Sequence, residues 1–249
     1  MFLYLKYNAM FGSYGYSFEY SNHEISAGSV PEGPFFRYFR EVSGGARVEK
    51  IISSDSGRIV VNPVEPLNLP DEVTNFLELE FEPIYIEPLG KKDIFLEFPV
   101  EIGVFIASKQ DIEVLDIFSL DNPKYSLYGP PNGGVITRWL WSPVYSEIPQ
   151  LDHHRRGIFQ LTLENTTKQW EELSRVVLEG TLMKIYYGEV EGKKLVSMSG
   201  KIRILSKLVA ETEFFDQPLA EGLKKSIEIY TAREIPGVKR NFTMEWGLV

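Results

Sequence analysis

The chain contains no cysteine. Disulfides, thiolate-bound zinc and cysteine nucleophiles are therefore excluded. Such a chain suits a reducing compartment, so a cytoplasmic location is expected; a hot habitat, where labile residues are avoided, suits it equally. No run reaches the ~18 apolar residues of a membrane helix, and no membrane partner is expected. The opening MFLYLKYNAMF is apolar but short. It lacks a basic flank and a small-residue cleavage site, and it reads as neither signal peptide nor anchor. Positive charge is also scarce. The net charge is -9, and the longest basic cluster is the run His153-His154-Arg155-Arg156. A nucleic-acid backbone is an unsuitable partner for that balance. No Walker string and no G-x-G-x-x-G between strand and helix occurs, so nucleotide binding has no support. No G-x-S-x-G string sets a serine on a strained elbow. No catalytic residue is assigned, and no cofactor is expected.

What is present is strand material. Of the 249 residues, 43% are apolar and 24% charged, a globular balance long enough for one large β domain or two ordinary ones. Thirteen tyrosines and 16 phenylalanines favour strands. The clearest pattern spans 75–106. Leu77, Leu79 and Phe81 alternate with Glu78, Glu80 and Glu82. Successive strand side chains point to opposite faces, so this reads as a half-buried strand with its acids in water. Ile94, Leu96, Phe98, Val100 and Ile102 then share one parity. Glu87-Pro88-Leu89-Gly90 lies between and suits a type I turn, which makes the stretch an antiparallel meander. Its oily face must be covered, and a second sheet is the simplest cover.

The same style runs along the chain. Residues 35–40, 47–52, 58–61, 114–120 and 135–141 read as strands, with 47–52 and 58–61 paired as a hairpin. Pro63, Pro66 and Pro70 mark a crossing between sheets. Beyond Gln150, strands are expected over 159–163, 174–178, 181–187, 195–198 and 202–213. Leu219, Leu223, Ile227 and Tyr230 form one apolar stripe, so a helix is predicted over 218–232, with Asp216 as its cap and Glu221–Lys225 as a surface pair. The expected architecture is all-β: two packed antiparallel β-sandwich domains, immunoglobulin-like or jelly-roll-like, over 1–149 and 150–249, with one short helix near the C-terminus.

Candidate site residues are few. Adjacent histidines on a strand would face opposite ways, so His153 and His154 are not expected to chelate one metal despite Asp152 and Glu147 nearby, and no metal is assigned. Isolated His23 reads as a surface residue. Glu101 stands in an apolar run and is a buried acid that needs a partner, for which Arg138 is a candidate. Trp139, Trp141 and Tyr145, with Tyr125 and Tyr128, crowd a turn-rich stretch. Aromatic platforms with a few acids hold sugars or peptides, although a place in the core is the plainer expectation for both tryptophans. A ligand site is expected on the surface between the domains, drawing on Arg138, Trp141, Tyr145, Glu147 and His153.

Several strings resemble a known family. They are Met10-Phe11-Gly12, the NPVEPLNLP string at 62–70, FPVEIGV at 98–104, KYSLYG at 124–129, VYSEIP at 144–149, MKIYY at 183–187 and AETEF at 210–214. They are similar to an archaeal family of uncharacterised proteins, domain of unknown function number 432. The resemblance starts at Met10 and implies an archaeal, thermophilic source; it implies no activity. With no catalytic set in view, the expected function is a non-enzymatic binding or assembly module. Its partner would be a small polar ligand, a carbohydrate or a protein. A carbohydrate hydrolase using a carboxylate pair is the alternative. A homodimer through residues 35–40 or the N-terminal strand is a further expectation.

Overall fold

Oily residues on every second position can be hidden by laying one sheet over another, and the chain does so twice. The structure, a computed structural model, describes residues 10–15, 17–22, 24–43, 45, 47–54, 57–67, 73–108, 111–229 and 242–245. Expectations on His23, on Pro70, on Met1 to Ala9 and on 230–232 lie outside those residues.

Two compact units divide the chain, one from 1–62 with 102–120 and one from 63–101 with 121–249. The first holds β1 (Gly12–Tyr14), β2 (Phe18–Ser21), β3 (Ile25–Glu32), β4 (Phe35–Val42), β5 (Arg47–Ile52), β6 (Arg58–Val64), and, later in the chain, β9 (Glu101–Ala107) and β10 (Ile112–Phe118). One sheet runs β2-β3-β4-β5 and the other β1-β6-β9-β10. A single apolar cluster joins them, including Phe18, Ile25, Tyr38, Ile59, Val104 and Phe118. Asp116 anchors the sheets to each other, accepting hydrogen bonds from Tyr38 Oη at 2.8 Å and Arg40 Nε at 2.6 Å.

The second unit holds β7 (Phe76–Ile86), β8 (Lys91–Pro99), β11 (Tyr125–Tyr128), β12 (Val135–Trp141), β13 (Arg156–Asn165), β14 (Glu171–Glu179), β15 (Tyr186–Val190), β16 (Lys193–Ile204), β17 (Val209–Phe215), β18 (Lys224–Lys225) and β19 (Phe242–Glu245). One sheet runs β11-β12-β7-β14 and the other β18-β15-β16-β13-β8, with β17 joined to β16 and β19 to β17. The sheets meet through β7 against β13 and β14 against β19. Leu77, Leu79, Phe98, Phe159, Leu161 and Ile202 are all fully buried there. Pairing is mostly antiparallel, with β12–β7 and β13–β16 parallel.

The all-β, sandwich-like architecture is therefore observed, with several corrections. Strands from both sides of Gln150 share sheets, because β7 pairs β14 and β8 pairs β13. The units accordingly differ from the expected 1–149 and 150–249. The 75–106 stretch is not a meander. Its turn passes the chain from the sheet of β7 to the sheet of β8, and β9 joins a third. Leu89 has φ 56°, so the turn is of the type that needs a left-handed third residue, not type I. β5 and β6 belong to different sheets and make no hairpin. Residues 35–40 lie in β4, which is paired on both sides, so they offer no open edge for a dimer.

No helix forms over 218–229. Gly222 takes φ 94°, which breaks helical geometry. Lys224 and Lys225 instead pair with Tyr187 and Tyr186 at the edge of β15. Leu219 and Leu223 still reach apolar neighbours, in a small cluster with Tyr186 and Leu195. The backbone thus satisfies its hydrogen bonds along a sheet edge while the oily stripe is buried from an extended chain. Lys225 pairs with Asp216 and Glu228 in place of the expected Glu221. Residues 180–182 form a 3-10 turn within the strand expected over 181–187, and 202–213 is split by a bend into β16 and β17. Among the described residues no helix is long and apolar enough to cross a membrane.

Candidate functional site

A cleft of about 240 Å³ opens in the second unit at the C-terminal end of β12. The strand contributes Arg138 through Trp141; Asp121, Asn122 and Lys124 come from the loop before β11; Pro99 and Arg156 come from the paired ends of β8 and β13. Parallel pairing of Arg138–Trp141 with Leu77–Glu80 fixes the height of the strand end. Trp139 is pinned by its Nε1, which donates to Glu80 at 2.9 Å, and Lys124 lies over its ring at 5.8 Å. Trp141 is left 45% exposed.

Charge in the cleft is one-sided. Three cations, Lys124, Arg138 and Arg156, line it against one carboxylate, Asp121. Both oxygens of Asp121 are engaged, one by Arg155 Nη1 at 2.5 Å and the other by Arg156 Nη1. Arg156 Nε also reaches Glu97 at 3.5 Å, and Glu97 accepts the Tyr145 hydroxyl at 2.7 Å. Burial and that bond push the Tyr145 phenol up to about 12.

Arg138 is the unusual member. It is 3% exposed, and its Nε and Nη1 have no hydrogen-bond partner among the described residues. Its guanidinium lies 5.7 Å from the Tyr125 ring centroid. Burial pulls its pKa below the ordinary arginine value, and the charge of Glu101 lifts it in part. Glu101 is itself 1% exposed, as expected for an acid in an apolar run. The charge of Glu101 thus acts on Arg138, while two guanidinium nitrogens have no hydrogen-bond partner among the described residues.

The sequence-derived site residues do not all converge. Arg138 and Trp141 line the cleft. Tyr145 stands behind it, bridged to Phe95 by backbone bonds at 2.9 Å and acting on Arg156 through Glu97. Glu147 is exposed on the following loop and is not among the lining residues. His153 sits on a turn that also lies outside the lining. Neither tryptophan is a core residue, since Trp139 is half-buried and Trp141 exposed. Lys124, Asp121 and Arg156 were missed as site residues; only the basic run ending at Arg156 hinted at them.

The histidines face each other. They occupy a turn closed by Arg155 and Arg156 N–H donating to the Asp152 carbonyl at 2.9 and 2.8 Å, and their rings stand 3.9 Å apart. Strand geometry would have separated them; the turn does not. Asp152, His153 and His154 place ligand-type atoms within 4.8 Å of one another, the grouping with metal-ligand spacing found among the described residues. Two cations oppose a metal there: Arg155 Nε lies 3.5 Å from Asp152, and the charge of Lys194 acts on both imidazoles.

The sequence profile of a family described as Protein of unknown function (DUF432) matches residues 10–245. No curated protein and no solved structure matches significantly.

Proposed function

The chain belongs to this family of proteins of unknown function, whose description carries no activity, and we propose from the geometry that it is a non-enzymatic binding module for a small polar ligand. The observation that carries this is the cleft at the end of β12, whose lining includes an exposed tryptophan and, from the other face of the strand, a buried arginine with unoccupied donors. Small-ligand sites combine apolar contact area with a few directed polar groups. Trp141 supplies the first and Arg138 the second.

The hydrolase alternative asks for two carboxylates facing across a cleft. Here a single lining carboxylate is engaged by two arginines, which favours the binding reading. A cytoplasmic location, drawn from the missing cysteine, goes with this proposal.

A thermal-shift screen over sugars, nucleotides and small organic acids tests it. A ligand is expected to raise the melting temperature of the native chain and not that of Trp141→Ala. Without ligand the two proteins should melt within a few degrees of each other, because Trp141 is largely exposed. A large loss of stability in Trp141→Ala would give that ring a structural role and remove the contact surface from the proposal.

A further inference from the structure

We propose that the end of the second unit carrying the β7–β8, β13–β14 and β16–β17 turns docks on an anionic lipid bilayer, its apolar tips entering the interface and its lysines facing the headgroups. Strand directions bring the three turns together. β13 runs antiparallel to β8 and parallel to β16, so β8 and β17 begin where β13 and β16 end. Backbone bonds join the turns, with Leu89 N–H donating to the Thr167 carbonyl and Thr166 N–H to the Ile204 carbonyl, both at 3.1 Å. Each turn lifts apolar side chains into water. Leu89 is 71% exposed, Trp170 64%, Leu208 60% and Leu205 37%. Leu89 is the most telling. Its φ of 56° is a conformation that favours glycine, yet a leucine is held there with little to pack against. An exposed apolar residue kept at a cost in stability indicates a contact outside the chain.

Charge names the partner. Lys168 and Lys207 lie on the same turns as Trp170 and Leu208, and β8 opens on Lys91 and Lys92, all four exposed. Among the described residues none of the four makes an ion pair; Glu164, opposite Lys91, is approached by Lys201 at 3.9 Å instead. The turns carry one acid, Glu87, while Asp93 and Glu172 stand further along β8 and β14. In a chain of net charge -9 this end is locally cationic. Lysines are drawn to the potential of an anionic surface, while Leu and Trp settle where headgroups meet acyl chains. A protein partner asks for a continuous, shape-matched face, whereas a bilayer takes in side chains singly from separate tips. Docking of this kind needs no apolar run of ~18 residues. The β12 cleft lies toward the other end of β8 and β13, where Pro99 meets Arg156, so the proposal is independent of it.

The test is co-sedimentation of the full chain with phosphatidylcholine vesicles, without and with about 30% phosphatidylglycerol. The native chain is expected to pellet with the anionic vesicles at ~1 mM lipid, and to bind the neutral ones at least about tenfold more weakly. Lys168→Gln with Lys207→Gln should weaken anionic binding about 25-fold, about fivefold per lysine. Trp170→Ser with Leu208→Ser should weaken it at least about tenfold. Both double variants should melt within a few degrees of the native chain, because all four side chains are exposed. Binding lost in the lysine variant but kept in the Trp170→Ser, Leu208→Ser variant would overturn insertion of the tips. Equal pelleting with both vesicle types would overturn the anionic surface. No pelleting with either would overturn the proposal, and poly-glutamate bound instead, and lost in the lysine variant, would assign this face to an acidic protein.

Discussion

Asn165 holds the turn between β7 and β8 from the inside. It is 1% exposed, and the two hydrogens of its Nδ2 are shared among the carbonyls of Ile86, Glu87 and Gln169, at 3.1, 3.0 and 2.8 Å. Its Oδ1 accepts the Thr167 N–H at 2.8 Å. Asn165→Ala strands these buried groups and should cost about 3 kcal/mol, read by urea denaturation. Leu89, on the same turn, has φ 56° and is 71% exposed. Its side chain gains little from packing and its backbone is strained, so Leu89→Gly should stabilise by about 1 kcal/mol in the same assay. Neither role could be read from residue type. An asparagine at a strand end is ordinary turn material by type, and a leucine is simply apolar. Glu78 makes the point in reverse. Alternation puts it in water, but it is 3% exposed, accepting from Thr137 Oγ1 at 2.7 Å and paired with Arg175 Nε at 3.3 Å. Parity names a face; it does not say whether neighbouring side chains will cover that face.

Strand elements were legible where alternation was long, and their partners were not. β12 matches the expected strand at 135–141, and β14 covers the strand expected over 174–178. The pairing of β13 with β8 depends on Gly157 lying opposite Phe98. A Cβ there would come within 2.2 Å of the Phe98 ring, so the two strands close only around a glycine. Gly157→Ala should therefore cost about 3 kcal/mol through overpacking. Adding Phe98→Leu should recover part of that loss, a non-additivity that thermal denaturation of the four proteins of the cycle would measure. The helix expected over 218–232 failed at this scale too. A stripe of Leu219, Leu223 and Ile227 is equally served by an extended segment when an open sheet edge such as β15 needs a partner.

Across the molecule, stability should respond to pH through Glu65, a buried acid that no local pattern flagged. Burial, with the charge of Glu228 adding, pushes its pKa up from 4.5 to about 7. A raised folded pKa means that its contribution to stability is fully present below about 4.5, where the acid is protonated in both states. That contribution is lost as pH rises toward about 7, an effect on the order of 3 kcal/mol. Glu65→Gln should abolish this arm, so urea unfolding at the two ends of the window should differ less in the variant than in the native chain. His154 acts oppositely. Burial, with His153 beside it, lowers its pKa to about 4, so its contribution holds above 6.5 and fades as pH falls toward 4. Family membership adds no chemistry at this scale, because its description names none.

By itself the sequence determined the all-β class, the two-layer packing and the exclusion of thiol chemistry, because period-two burial and a missing residue type are properties of the linear chain. It also singled out Arg138, Glu101 and Trp141. Only the tertiary structure decided that β7 pairs with β14 and β8 with β13 across Gln150, that Lys124, Asp121 and Arg156 meet at the end of β12, and that two donors of Arg138 stay open. Such facts depend on which distant strands share a hydrogen-bonded edge, and residue spacing along one strand carries no information about its neighbour.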